Sequence, residues 1–140
     1  MKKFLQLVLI SVIVMSLSSC AQKFTFPVSS VVPSAEAEVK VKKDNNDNYQ
    51  IELDVKHLNS PDRLSPPKKM YVVWMETSSG TRNLGQLKSS SSLLSSTYRA
   101  SLKTVSSNKP LRFIVTAEDN ADNKEPGTFV VLETKVDVKK

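Results

Sequence analysis

His57 is the only histidine of the chain and the first residue to consider for catalysis. A single imidazole excludes sites with several histidine ligands, and the one cysteine, at position 20, leaves no thiolate set for zinc. Serine is abundant and Asp54 and Asp62 lie near His57, so a Ser-His-Asp hydrolase is one alternative. However, the sequence lacks the Gly-x-Ser-x-Gly turn of many such hydrolases. We therefore predict that the protein is not an enzyme and that His57 lies partly buried at the rim of a strand.

Two acidic segments could supply oxygen ligands for Ca²⁺. Asp44 to Asn48 alternates acidic and amide side chains as a calcium loop does, but Tyr49 and Val55 stand where such a loop needs a glycine and a bidentate glutamate. The first segment is therefore predicted to be a turn. Glu118 to Gly127 is the better candidate for a Ca²⁺- or small-ligand-binding loop, with a solvated turn as the alternative. Its candidate ligands are Glu118, Asp119, Asp122 and Glu125.

The start of the chain has the pattern of a secretory signal. Lys2 and Lys3 precede a nearly uncharged apolar run from Phe4 to Leu17, which is shorter than the roughly 20 residues that a transmembrane helix needs. Leu17-Ser18-Ser19-Cys20 resembles a bacterial lipobox, after which a peptidase cuts before a cysteine that carries diacylglycerol. This resemblance implies a signal peptide over residues 1–19 and a diacylglycerol-type lipid on Cys20.

Acylation would also explain a lone thiol in an exported protein. Two or more acyl chains anchor a protein stably, whereas one chain binds only marginally. The alternative is ordinary cleavage after Ala21, because Ser19 and Ala21 also fit the small-x-small pattern. Both cleavages predict a mature chain outside the cytoplasm. By resemblance to lipoprotein sorting in Gram-negative bacteria, Ala21 in place of Asp implies a lipid anchor in the outer membrane, facing the periplasm.

Size and charge limit the function further. About 120 mature residues make one domain, and a single cysteine excludes a disulfide within it. Without Lys2 and Lys3, 18 basic and 14 acidic side chains give a net charge of +4, and the two signs are interleaved along the chain. This pattern argues against nucleic-acid binding, which gathers basic residues on one surface. The predicted partners are the membrane, through the lipid anchor, and an envelope protein or polymer.

Alternation of apolar and polar residues predicts strands through most of the mature chain. Residues 36–42 and 49–57 form the clearest hairpin, and 70–75 is apolar on both faces, as in a central strand. Further strands are predicted at 83–87, 94–102, 111–118 and 128–138. The serine run Ser89 to Ser92 is predicted to be a loop, and residues 20–35 a linker or a short edge strand.

About seven short strands and no helical pattern after residue 20 predict an all-β fold, an Ig-like β-sandwich over residues 36–138. Residues 20–35 would then be the lipidated cysteine and its linker, which would lift the domain off the bilayer. Trp74 is predicted at the centre of the core. The other predicted core residues are Tyr71, Val73, Phe113 and Val115.

Three motifs in residues 70–132 resemble a known family. Tyr71 to Met75, Leu84 to Leu87, and Phe113 to Glu118 with Pro126-Gly127 after it resemble the extracytoplasmic C-terminal domain of anti-sigma-K factors. The resemblance implies the fold and not the regulatory activity, because the sigma-binding segment has no counterpart here. The whole mature chain also resembles small lipoproteins of Bacteroidetes-type bacteria. Together these features predict a non-enzymatic envelope lipoprotein that binds a ligand or has a structural role.

Overall fold

A computed structural model describes residues 20–90 and 98–139, which form two antiparallel sheets packed face to face. The predicted all-β sandwich is therefore confirmed, with nine strands in the described residues where about seven were expected. A single 3₁₀ turn, Pro61–Arg63, accompanies them. The strands are β1 (Gln22–Thr25), β2 (Glu36–Lys43), β3 (Tyr49–Lys56), β4 (Met70–Thr77), β5 (Gly80–Gln86), β6 (Lys88–Ser90), β7 (Arg99–Ser106), β8 (Arg112–Glu118) and β9 (Val130–Lys135).

The strand order is that of an immunoglobulin-like sandwich. One sheet has the order β1-β2-β3-β7-β6 and the other the order β5-β4-β8-β9. With β2 taken as strand A, these sheets correspond to A-B-E-D and C′-C-F-G, the arrangement of the Ig fold with one C′ strand. β1 is an additional strand at the edge beyond A. Every pair of neighbouring strands is antiparallel.

The core lies between the sheets and follows the period of two that the sequence predicts. In β2 and β3, Val39 and Val41 pair across the strands with Leu53 and Ile51, and all four side chains are buried. In the facing sheet, β4 and β8 contribute the inward side chains. These are Tyr71, Val73, Met75, Phe113, Val115 and Ala117.

Of the two alternatives for residues 20–35, a linker or a short edge strand, the structure has the edge strand at Gln22–Thr25, and residues 22–35 pack on the sandwich that was predicted to start at residue 36. β1 pairs along its whole length with β2. After β1, Val32 is buried, and the buried hydroxyl of Ser29 donates to the carbonyl oxygen of Val131 at 2.5 Å and accepts from the Val32 amide. Hydrogen bonds to both sheets therefore hold this segment, and of the described residues only Cys20 and Ala21 precede β1.

The predicted serine loop is partly wrong, because Ser89 lies in β6, which pairs with β7. The remaining residues of the run, Ser91 and Ser92, and the first part of the predicted strand 94–102 lie outside the described residues, as does the predicted signal peptide at 1–19. Within residues 20–90 and 98–139, no helix has the length and apolar content of a membrane span.

Candidate functional sites at the two ends of the sandwich

Apart from the single residue Leu87 between β5 and β6, the described connections between strands sort by length to the two ends of the sandwich. Short connections, residues 44–48, 78–79 and 107–111, lie at one end together with Cys20 and the end of β9. We call it the Cys20 end. The opposite end, called the long-loop end, carries the longer connections at 26–35, 57–69 and 119–129. In immunoglobulin variable domains the B–C and F–G loops, which correspond to 57–69 and 119–129, form the binding surface.

A buried carboxylate organises the long-loop end. Glu118, the last residue of β8, accepts hydrogen bonds from the Thr116 hydroxyl at 2.6 Å, the Gly127 amide at 2.8 Å and the Asn123 side-chain amide at 3.1 Å. A methyl group at Gly127 would lie 2.7 Å from a Glu118 oxygen, so the approach needs a glycine. The predicted ligand Glu118 is thus buried beneath the loop that follows it, on the outer face of its sheet, and fixes that loop.

Trp74 belongs to this network rather than to the centre of the core, so its predicted position is wrong. It is fully buried, but it lies on the face of β4 that points away from the other sheet, in a small cluster with Val72 and Ile114. Its indole N–H donates to the Thr116 hydroxyl at 2.8 Å. Asn83, which is opposite Trp74 in β5, donates to two carbonyl oxygens of residues 121–123. The 119–129 loop therefore crosses this outer face.

The other predicted metal ligands are not gathered. Asp119 pairs with Lys68 at 2.8 Å, whereas Asp122 and Glu125 are exposed. Among the residues that the structure describes, no group of three His, Cys, Asp or Glu side chains could hold a metal ion. The loop is fixed by hydrogen bonds within the protein, so its acidic composition is explained without a cation.

His57 is exposed, so its predicted position at a partly buried rim is wrong. β3 ends at Lys56, and His57 adopts a left-handed backbone with φ 54°. This residue breaks the alternation, and Leu58 is buried in the place that His57 was expected to take. The contact of His57 with the fold is through its backbone, because its carbonyl oxygen accepts from the Ser34 hydroxyl at 3.1 Å.

A groove of about 760 Å³ lies at the long-loop end, where the 57–69 connection meets β6 and the start of β7. Lys69, Lys88 and Tyr98 line it, and Tyr71 forms its buried wall. The Tyr71 hydroxyl donates to the Asn59 carbonyl oxygen at 2.8 Å. Burial raises the pKa of Tyr71 to about 12, and Tyr98 and Asp62 add to the effect. The groove leaves no local signature in the sequence, because its residues come from separate strands and one long connection.

The first and last residues of the described chain meet at the Cys20 end. The Gln22 side chain donates to the Lys139 carbonyl oxygen and accepts from the Lys139 amide, both at 2.8 Å. Cys20 itself is exposed. Lys23 and Lys40 both contact Glu38 on the outer face of the five-stranded sheet, at 2.6 and 3.6 Å. The hydrogen bond from Lys23, and the charges of both lysines, lower the pKa of Glu38 against its partial burial.

Comparison with protein-family models, with curated proteins and with solved structures gives no match. The resemblance of residues 70–132 to the anti-sigma-K domain therefore stays a prediction. Only the geometry and the sequence patterns bear on the function.

Proposed function

We propose that the chain is an exported, non-enzymatic lipoprotein, in which acyl chains on Cys20 hold an Ig-like sandwich at the cell envelope and the long-loop end binds an envelope protein or polymer. The outer membrane, on its periplasmic side, is the proposed location. The observation that carries the proposal is the placement of Cys20 and of the long connections at opposite ends of the domain. Anchoring through Cys20 would leave the long loops pointing away from the bilayer.

Two features of the long-loop end support a binding role. The 760 Å³ groove is within the size range of ligand sites, and it combines an aromatic ring with cationic side chains. The 119–129 loop is also fixed by buried hydrogen bonds to Glu118, which lowers the entropy that a partner must remove on binding. Rigid loops on a sheet scaffold suit recognition, because the binding surface is formed before the partner arrives.

Site-specific photo-crosslinking in intact cells tests the binding role. A photoreactive amino acid is placed at Lys69, which lines the groove, or at Asn46, which is exposed in a turn at the Cys20 end. The proposal expects a discrete adduct of one protein or polymer from Lys69 and none from Asn46. Equal labelling at both positions, or no discrete adduct at either, would contradict it.

The membrane half of the proposal has its own control. Cys20→Ser removes the acylation site and leaves every described strand intact, since Cys20 is exposed and precedes β1. We expect the wild-type protein in the membrane fraction after a high-salt wash and the Cys20→Ser variant in the soluble fraction. An unprocessed leader could hold the variant at the membrane, so its processing is checked by mass.

A further inference from the structure

The outer face of the five-stranded sheet carries lysines next to the residue that follows Cys20. Gln22 is opposite Val41, and Val41 is opposite Ile51. Lys42, Gln50 and Val105 are directly opposite one another in β2, β3 and β7. Ala21, the residue before Gln22, therefore lies level with this row. A groove of about 500 Å³ at this place is lined by Ala21, Lys40, Lys42, Lys103 and Val105.

This part of the sheet has an excess of positive charge and an exposed apolar side chain. Lys23 and Lys40 share Glu38, and Lys103 pairs with Glu52 at 3.0 Å, while Lys42 forms no ion pair within the described residues. Three lysines thus contact two carboxylates while Lys42 adds a further positive charge, and exposed pairs of this kind hold their charges weakly. Val105 is 60% exposed among them. We call Lys23, Lys40, Lys42, Lys103 and Val105 the lysine patch.

We propose that the lysine patch rests on the anionic phospholipid headgroups of the bilayer in which Cys20 is anchored. This inference depends on the proposed acylation of Cys20. Only Ala21 separates the anchor from β1, and one residue spans less than 4 Å, so the domain cannot be lifted away from the headgroups. Contact with the bilayer is then obligatory, and the face beside Ala21 is the one that meets it.

Charge complementarity selects anionic headgroups as the occupant. Lysines near an anionic lipid surface strengthen binding by roughly fivefold each, over a distance of about one Debye length. The other half of the same sheet face offers less, because Lys56 and Arg99 share a row with Glu36, and the next row carries the carboxylates of Glu38 and Asp54. The patch would thus turn a flexible lipid tether into a fixed orientation, with the five-stranded sheet towards the bilayer and the four-stranded sheet away from it.

Footprinting on tethered vesicles tests this proposal without native acylation. The chain from Cys20 onward, which contains every described strand, is coupled through its only thiol to a maleimide phospholipid in vesicles of phosphatidylcholine, with or without phosphatidylglycerol. Lysines are then acetylated and their rates measured by mass spectrometry. We expect Lys40, Lys42 and Lys103 to react several-fold more slowly on the anionic vesicles, and the difference to vanish at about 1 M salt, where the Debye length is about 3 Å.

Lys124, in the 119–129 loop, is the internal control and should react at the same rate on both vesicles.

A second test uses the Cys20→Ser chain, untethered. Lys42→Glu with Lys103→Glu should weaken its binding to anionic vesicles at least tenfold, whereas the matched pair Lys56→Glu with Lys88→Glu should leave most of it. Equal acetylation of the patch on both vesicles, or equal protection of Lys124, would overturn the proposal. Protection by soluble polygalacturonate but not by anionic vesicles would also overturn it and indicate a polymer partner. Since maleimide supplies the tether, these outcomes do not depend on whether the native thiol is acylated.

Discussion

The two ends of this sandwich close their loops by different means. At the Cys20 end, the 44–48 turn is closed locally, with the Asp44 carboxylate accepting from the amides of Asn46 and Asn48 at 2.8 and 2.9 Å. At the long-loop end, the buried Glu118 carboxylate and the Asn83 side-chain amide hold the 119–129 loop from outside it, and the Trp74 indole supports Glu118 through Thr116. Short turns need only their own residues, whereas a long loop needs a partner elsewhere in the fold to offset its larger entropy. The long-loop end is therefore ordered by tertiary contacts, as expected for a preformed binding surface.

The largest predicted effect is at Trp74. Trp74→Ala removes a fully buried ring and leaves the Thr116 hydroxyl without its donor, so we expect a loss of about 3–5 kcal/mol in the free energy of unfolding. The comparison of the two ends is sharpened by hydrogen exchange. Amides of residues 119–127 should exchange faster in the variant, whereas those of the 44–48 turn should not. Uniform acceleration at both ends would contradict the division.

Gly127→Ala should have the next largest effect and lower the free energy of unfolding by about 1–3 kcal/mol. The new methyl group would lie 2.7 Å from a Glu118 oxygen. The cost should largely vanish in a Glu118→Ala background, which a double-mutant cycle by chemical denaturation measures. Gly80 at the Cys20 end is the matched control. Gly80 has φ 118° and open space around it, so the loss of stability in Gly80→Ala reflects backbone strain. That loss should be the same whether residue 118 is Glu or Ala. If Glu118→Ala and Gly127→Ala change the free energy of unfolding additively, the proposed contact between Glu118 and Gly127 is contradicted.

Tyr71→Phe should cost about 1 kcal/mol through the lost hydrogen bond to Asn59 in the 57–69 connection. It should also change the alkaline behaviour. The folded-state pKa of about 12 exceeds the ordinary value of 10.0, so this stabilisation is complete below about pH 10 and declines as the pH rises through 12. Thermal unfolding between pH 9 and about 12 checks this, since the variant should lose less stability than the wild type. Parallel curves for the two proteins would contradict the assignment.

The smallest effect is expected at Glu38, on the outer face of the five-stranded sheet between the two ends. Its pKa is lowered by Lys23 and Lys40, so its stabilisation is present above the ordinary pKa of 4.5 and is lost as the pH falls through the lower folded-state value. Glu38→Gln should therefore cost roughly 0.5 kcal/mol or less at neutral pH, because the pairs are exposed, and nothing in acid. Denaturant unfolding of the wild type and Glu38→Gln at pH 7 and at pH 3 measures the cost at each pH. A larger cost in acid would reverse the predicted sign.

Most of the fold could be predicted from the alternation of side chains, because strands with one buried face leave a clear pattern. β2, β3 and β8 lie close to their predicted positions. The alternation was misleading where a strand does not have one buried and one exposed face. Trp74 was assigned to the intersheet core because β4 is apolar on both faces, and only the tertiary fold decides which face a loop covers. For β1 the sequence left a linker and a short edge strand as alternatives, because Pro27 and Pro33 follow it in a segment that contacts both sheets.

The candidate sites were harder to predict than the fold. The acidic composition of residues 118–125 indicated a metal site, but one buried carboxylate surrounded by donors gives the same composition. His57 left its predicted row because a single left-handed residue resets the alternation, and nothing in the local sequence requires it. Asn83 is a signal that could have been used, because a polar side chain opposite a tryptophan indicates a loop above that face.

The mass of the N-terminal tryptic peptide of the native protein tests the central claim most directly. Cleavage before Cys20 and acylation of its thiol predict a peptide from Cys20 to Lys23 that carries diacylglycerol, with or without a third chain on its amine. A native protein that begins at Gln22 without fatty acid would contradict the anchor, and with it the fixed separation between a membrane-facing end and a binding end.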